Sequence, residues 1–316
     1  MPRVVVIPVS GYINRLQAIT SAALLAEDLG ADFHICWLPQ AVAPVPIESV
    51  LADGTCIAYA VDAAEVRSST GIDPDHVPRY LGRSGDVITL AGHDRGEQVF
   101  MRGLRGALEE GPVDAIVIRA GGRFFLPGPG IDEETFRGRR HAFYRQEILA
   151  SAIEAEAAHQ TTAHTPYLGL HLRYTDRAHQ APTGRTIARA LSDLAEGTGI
   201  HRVFIASDTA AMRDTWRTRI ARLGLEPWAA EHAHWDRSVA GSEFAALVDW
   251  RILGGAAALV YFAESTFAVE AAVASPGFAA SVALPPSPLR SLGVRAADLT
   301  RAAVTYPKRR GWLPSA

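Results

Sequence analysis

The apolar positions alternate between two spacings along the chain. Residues 3–9, RVVVIPV, are a β-branched run that stops at Ser10-Gly11. The following NRLQAITSAALLAEDLG places Leu16, Ile19, Ala23, Leu24 and Ala26 near one face, and Gly30 is a helix stop. DFHICWL (32–38) predicts a second strand, so the chain opens as strand, loop, helix, strand, the start of a parallel α/β sheet. A helical pattern in EQVFMRGLRGALEE precedes another buried run, DAIVIRA (114–120). The Gly- and Pro-rich stretch 121–132 reads as a loop, and RQEILASAIEAEAAHQ (145–160) as a long amphipathic helix. The pattern then restarts. YLGLHL (167–172), a helix in 186–197, HRVFIAS (201–207), helices in 210–224 and 242–255, the strand ALVYFA (258–263) and a helix from about Ser265 form a second α/β series. This predicts two α/β halves, residues 1–160 and 161–316, with a cleft between them. In such sheets ligands sit at the carboxyl ends of the strands.

Composition narrows the possibilities. The 316 residues suffice for two cores, and 48% hydrophobic with 21% charged residues is a globular balance. With 31 basic and 34 acidic side chains the net charge is −3, which gives no general attraction to nucleic acid or an anionic membrane; an anion site must be local. Cys36 and Cys56 allow at most one disulfide and no cysteine zinc cluster. The start MPRVVVIPVSGY is too short and too soon broken by Pro8 for a signal peptide, and no apolar run reaches about 18 residues, so the expectation is a cytoplasmic protein without a membrane span.

Four predicted strand ends carry candidate chemistry. In SGYINRL (10–16), Gly11 permits a tight turn, helix-opening amides face outward, Asn14 offers a donor and Arg15 a charge; an ordinary βα turn is the plainer alternative. In HLRYTDR (171–177), strand alternation puts His171 and Arg173 on one face. A guanidinium is a permanent fork of donors suited to phosphate oxygens, whereas an exposed Arg–Asp pair contributes only about 0–1 kcal/mol. In IASDTAAMRD (205–214), Ser207-Asp208-Thr209 is also a simple helix cap. In the stretch 249–272, Glu264-Ser265-Thr266 opens a helix of small residues, where hydroxyls and free amides make an anion site or merely a cap, and Asp249 lies on the preceding helix. HAHWD (232–236) has metal-like histidine spacing without a further ligand set. The dinucleotide glycine fingerprint, Gly-x-Ser-x-Gly, HExxH and Walker patterns are all absent, which disfavours a nicotinamide oxidoreductase, a hydrolase, a metalloprotease and a P-loop enzyme.

The order of these elements is more specific than any one of them. GYINRL, FYR (143–145), YLGLHLRYTDR, VFIASDT and LVDWRILGGAAALVYFAESTFAVEAA together resemble the fucosyltransferase superfamily that contains the core alpha-1,6-, nodulation and protein O-fucosyltransferases. The resemblance covers the first 30 or so residues and most of the second half; residues 40–142 match no known pattern. It implies a GT-B fold of two Rossmann-like domains facing across a cleft. It also implies an inverting transferase that needs no metal or other cofactor and takes a GDP-sugar, GDP-fucose or a related hexose donor. By position, Arg173 would hold the β-phosphate, His171 and Asp249 would read guanine, Asp208 would line the nucleotide pocket, Ser265 and Thr266 would meet the pyrophosphate, and Asn14 would approach it across the cleft. Arg177 falls where a basic residue often occurs. Asp176 and His179 are candidates for the base by location. The chain departs from the pattern at Tyr174, where relatives carry a second Arg or a His, at Ile13 in place of Gly, and at Glu264 in place of a hydroxyl residue; residues 178–184 lack the acid that some relatives carry. The acceptor would be a glycan, a peptide or a small molecule, and the Ala- and Arg-rich composition fits a bacterial enzyme. The alternative is a non-catalytic relative that binds a nucleotide or a partner.

Overall fold

The computed structural model describes residues 1–53, 56–77, 81–92, 97–128, 130–174, 181–232 and 242–286. Two five-stranded sheets organise the chain, one in each half.

The first sheet has the order β2-β1-β5-β4-β3. Its central strands are β1 (Arg3–Pro8) and β5 (Ala115–Ala120), both apolar along most of their length because helices and turns cover both faces. Val4 sits in register between Phe33 of β2 (Asp32–Ile35) and Ile116 of β5. The edge is closed by β4 (Val87–Gly92), parallel to β5, and the short antiparallel β3 (Gly82–Ser84). Helix α1 (Tyr12–Leu29) ends where Gly30 takes a left-handed φ of 58°. It covers one face; α2 (Ala63–Thr70) covers the other, with Val66 against Val5, Ile7 and Val117. Helix α3 (Glu97–Glu109) leads into β5.

The predicted strand 32–38 is shorter than its apolar run. Cys36 still bonds Val6 through its backbone at 2.8 Å, but Trp37 leaves the sheet, donates its indole N–H to the Val45 carbonyl and stacks near Tyr12. The helix expected over 145–160 begins only at Ser151, as α5 (Ser151–Thr161), and a separate helix that the sequence did not predict, α4 (Glu133–Tyr144), precedes it. Between them residues 148–150 bond the backbone of 50–52 instead of continuing the helix. Asp132 caps α4 through the Thr135 amide at 2.8 Å. The buried stripe of α4 is Phe136, Arg140 and Tyr144, and a charged residue in its middle hides the helix from a hydrophobic count.

The second sheet, β10-β9-β6-β7-β8, is parallel throughout. Its strands are β6 (Leu168–Leu172), β7 (Arg202–Ser207), β8 (Glu226–Trp228), β9 (Leu259–Phe262) and β10 (Val282–Leu284). The edge strands β8 and β10, with three residues each, were too short to show as periodicity. Helices α6 (Gly184–Thr198) and α7 (Ala210–Arg222) bury Ile187, Leu191, Trp216 and Ile220 on one face. Helices α8 (Ser242–Gly255) and α9 (Thr266–Ala274) cover the other.

The largest core belongs to both halves. Ile13, Leu16 and Ile19 of α1 share it with Tyr144 of α4, Trp250 and Leu253 of α8, and Ala268, Ala271 and Ala272 of α9. Helix α4 packs against α9, and α5 against α8. Cys36 and Cys56 are free and buried, and burial pushes their thiols up to about 11 and about 12. Among the described residues no helix is long and apolar enough to cross a membrane.

Candidate functional site

The carboxyl edge of the second sheet gathers His171, Arg173, Asp208, Ser265 and Thr266. Parallel pairing of β6 with both β7 and β9 brings three strand ends side by side. His171, the penultimate residue of β6, is buried, and its ring stacks on Phe267 with centroids 5.2 Å apart. Phe267 is the second residue of α9, so the strand end that carries Arg173 lies directly beside the helix opening Ser265-Thr266.

That opening is polar and incompletely satisfied. Ser265 is the residue before the first turn of α9, 1% exposed, with extended backbone and no side-chain capping bond. Its hydroxyl is buried with no hydrogen-bond partner. Buried hydroxyls are normally paired, because an unmet one loses its bond to water without replacement. Here it stands beside the free amides of a helix start, the end with partial positive charge. Thr266 begins the helix and is half-buried.

Asp208 has a defined task. Both of its carboxylate oxygens accept from the Tyr174 amide, at 2.9 and 3.2 Å, which ties the end of β7 to the residue after Arg173. The carboxylate thus shapes the turn from which the half-buried Arg173 projects. Tyr174 directs its ring onto Phe262, edge to face at 6.0 Å, so the residue after Arg173 is a packing group.

Asp249, which the sequence left between a surface acid and a base reader, is buried on α8. Its Oδ1 lies 2.9 Å from Nε2 of His232. Burial holds its pKa above the ordinary carboxylate value, against the opposing pull of the His232 hydrogen bond and charge and of Arg213. His232 comes from the segment after β8 and meets the Asp249 carboxylate; His234 lies outside the described residues. Among the described residues no group of three or more His, Cys, Asp or Glu is arranged to hold a metal ion.

The remaining expected residues among those described, Gly11, Asn14 and Arg15, lie at the turn between β1 and α1, and α1 packs against α9. The sequence argued from Gly11, but Gly11 has an extended backbone, and a Cβ there would meet nothing within 4 Å. The left-handed residue is Ser10, with φ of 74°. Three contacts hold it: its amide donates to Gln40 Oε1 at 3.2 Å, its hydroxyl accepts from Asn14 Nδ2 at 3.0 Å, and its carbonyl accepts from Arg15 Nε at 3.0 Å. A strained backbone persists only where its surroundings over-determine it. Arg15 is corrected by the same geometry. It is fully buried, gives a further bond to the Leu38 carbonyl at 2.9 Å and lies over the Trp37 ring at 4.4 Å. Burial lowers its pKa to about 10. Arg15 therefore braces the turn from within and does not present its charge to a ligand. Asp176, Arg177 and His179 lie outside the described residues.

Sequence reasoning missed Glu270. This carboxylate is 0% exposed on α9, one turn beyond Ser265. It accepts from Gln17 of α1 at 2.6 Å, Arg140 of α4 at 2.9 Å and the Tyr144 hydroxyl at 2.7 Å. Burial and the adjacent carboxylate raise the Tyr144 pKa, so the phenol keeps its proton and donates it. The only sequence signal was an acid inside the apolar run TFAVEAAVA. Its partners are 126 to 253 residues away, beyond the reach of any spacing rule.

No model of a protein family and no curated protein matches the chain. Solved structures do. POFUT1 in complex with GDP-fucose superposes with a TM-score of 0.54 at 14% identity, over 90% of this chain and 98% of that one. NodZ alpha-1,6-fucosyltransferase soaked with GDP-fucose gives 0.55 at 17% identity, over 87% and 94%. A mutant of Arabidopsis thaliana FUT1 in complex with GDP gives 0.59 at 15% identity, over 86% of this chain and 68% of that one. The chain thus has the two-domain GT-B fold of the fucosyltransferases, the architecture that the order of its sequence elements implied.

Proposed function

We propose that this protein transfers a sugar, L-fucose or a related hexose, from a GDP-sugar to an acceptor hydroxyl, with inversion and without a metal. The observation that carries this reading is the contact of His171 with Phe267, which sets the Arg173 strand end against the unsatisfied opening of α9. The GDP-fucose and GDP held by the structural neighbours support the choice of donor.

In the reaction the sugar–phosphate bond breaks and its electron pair leaves with GDP, while the acceptor oxygen attacks the opposite face of the sugar carbon and gives up its proton. Negative charge grows on the leaving diphosphate. The Arg173 fork, the amides of α9, Ser265 and Thr266 would absorb it, and the Asn14 turn would close over it from the other half. His171 and Asp249 would hold the guanine. Asp208 acts on Arg173 through the Tyr174 amide. Asp176 and His179 are the candidates for receiving the acceptor proton.

Removing one preorganised donor from such a site costs about 3–4 kcal/mol, two to three decades in rate. Arg173→Ala should therefore lose turnover of GDP-fucose by that factor with an unchanged melting temperature, and Arg173→Lys should recover little because the fork is gone. Near-normal turnover by Arg173→Ala would sink the assignment.

A second reading, a nucleotide-binding protein without turnover, draws on Tyr174, which packs on Phe262 where relatives have a second cation. Slow release of free GDP from GDP-fucose separates the two, since a pure binding protein releases none.

A further inference from the structure

We propose that Arg119 anchors an anionic group, a carboxylate or a phosphate, on the acceptor; this rests on the transferase reading above. Arg119 is the fifth residue of β5, in register between Ile7 of β1 and Ala91 of β4. Strand alternation sets it on the face of Val117, which carries Val5, Ile7, Cys36 and Ala91 and is apolar. Neither in-register neighbour has a polar side-chain atom. Its Nε is buried without a hydrogen-bond partner, and among the described residues the guanidinium has no ion pair or ring contact.

Arg15 and Arg140 also leave one buried guanidinium nitrogen unpaired, but their other nitrogens bond backbone carbonyls or Glu270, as those of Arg83, Arg139 and Arg251 bond carbonyls or carboxylates; among the described residues Arg119 has no such bond. Arg119 is half-buried, so its Nε is shut off from water while the rest of the fork is partly exposed, and a permanently charged fork on the edge of an apolar sheet face suits an oxyanion. A neutral hydroxyl offers a single oxygen and no charge; a carboxylate or phosphate meets the fork with two oxygens and the opposite charge.

The location is that of a ligand group. β5 lies at the centre of the first sheet, and Arg119 stands near its carboxyl end, the ligand edge of an open α/β sheet. Two residues later the chain presses on the Ser10 turn: a Cβ on Gly121 would come within 3.1 Å of the Val9 carbonyl oxygen and 3.2 Å of the Ser10 Cβ. Arg119 therefore stands two residues from the contact with the strained Ser10 turn, at the start of α1. It belongs to the half opposite the nucleotide residues, where the acceptor must enter.

The test titrates glucuronate, glucose 6-phosphate and glucose into the full chain by calorimetry, for the wild type, Arg119→Gln and Arg119→Lys. At least one acid should bind about tenfold or more tighter than glucose, the scale of a charge-assisted pair. Which acid is preferred identifies the anion. Arg119→Gln should abolish the preference at an unchanged melting temperature; should it melt lower, Arg119→Lys, which keeps the charge, must retain part of it. Equal binding of all three sugars, no binding of either acid, or a preference that survives in Arg119→Gln overturns the proposal. GDP is titrated into the same wild-type sample. Absence of GDP binding would refute the donor reading, leaving the acid preference to be judged by itself.

Discussion

Ser265 holds a buried hydroxyl that has no partner among the described residues. Stability and binding should therefore respond to its removal with opposite signs. Deleting an unpaired buried hydroxyl relieves a desolvation cost of about 1–3 kcal/mol, whereas deleting a donor to a diphosphate loses a bond to a charged group worth about 1.5–3 kcal/mol. Ser265→Ala should melt at the same temperature as the wild type or a few degrees higher, and its GDP-induced rise in melting temperature should shrink. A variant that melts lower and keeps its full GDP response would show that the hydroxyl serves the fold. At the same scale, the residue types at 173 and 265 were legible as anion chemistry, because a guanidinium and a helix-opening hydroxyl carry that property wherever they sit. Arg15 misled for the same reason. Its type suits phosphate equally well, and only its burial under Trp37 reveals that it braces a turn.

At the scale of elements, α9 is fixed by its acid. Glu270 joins it to α1 through Gln17 and to α4 through Arg140 and Tyr144, so the opening of α9 and the Ser10 turn at the start of α1 are held in one frame. Removing one member of a buried ion pair leaves the other charge stranded, at about 3–5 kcal/mol, while replacing both with apolar groups can be neutral. Glu270→Ala should thus lower the denaturation midpoint strongly. Glu270→Met combined with Arg140→Met should restore much of it, although Gln17 and the Tyr144 hydroxyl still lose an acceptor. Equal destabilisation of the single and the double variant would argue against a stranded charge. The elements differ in legibility for a related reason. β1, β5, β6 and β9 announce themselves because both faces are apolar, and α6 because its apolar stripe is clean. Helix α4 does not, since Arg140 interrupts its buried face and only Glu270, 130 residues away, makes that burial tolerable.

At the scale of the whole molecule, the shared core and the buried acids and phenols predict a pH response. Cys36 and Cys56 have folded pKa values of about 11 and about 12 against an ordinary 9.0, and Tyr12, Tyr144 and Tyr261 are raised from 10.0. The folded state therefore holds more protons than the unfolded chain above pH 9. Stability is retained below that point and falls as pH rises toward 11 and 12. Denaturant titrations at pH 8 and pH 10 should show the loss, and Cys56→Val should flatten part of it. A pH-independent midpoint across that range would contradict the burial of these groups.

Order along the chain determined a great deal without coordinates: two α/β series, a restart near residue 160, and polar strand ends in the order of a GT-B fold. These follow from local physics, because alternation, helical spacing and capping act over a few residues. Tertiary structure alone decided which of the polar residues face one another. Asp208 finds the Tyr174 amide, Asp249 finds His232, Glu270 finds three donors from the other side of the seam, and the Arg119 Nε finds none among the described residues. Satisfaction of a buried polar group depends on atoms within about 3 Å, and which atoms those are is set by packing between segments that the sequence keeps far apart.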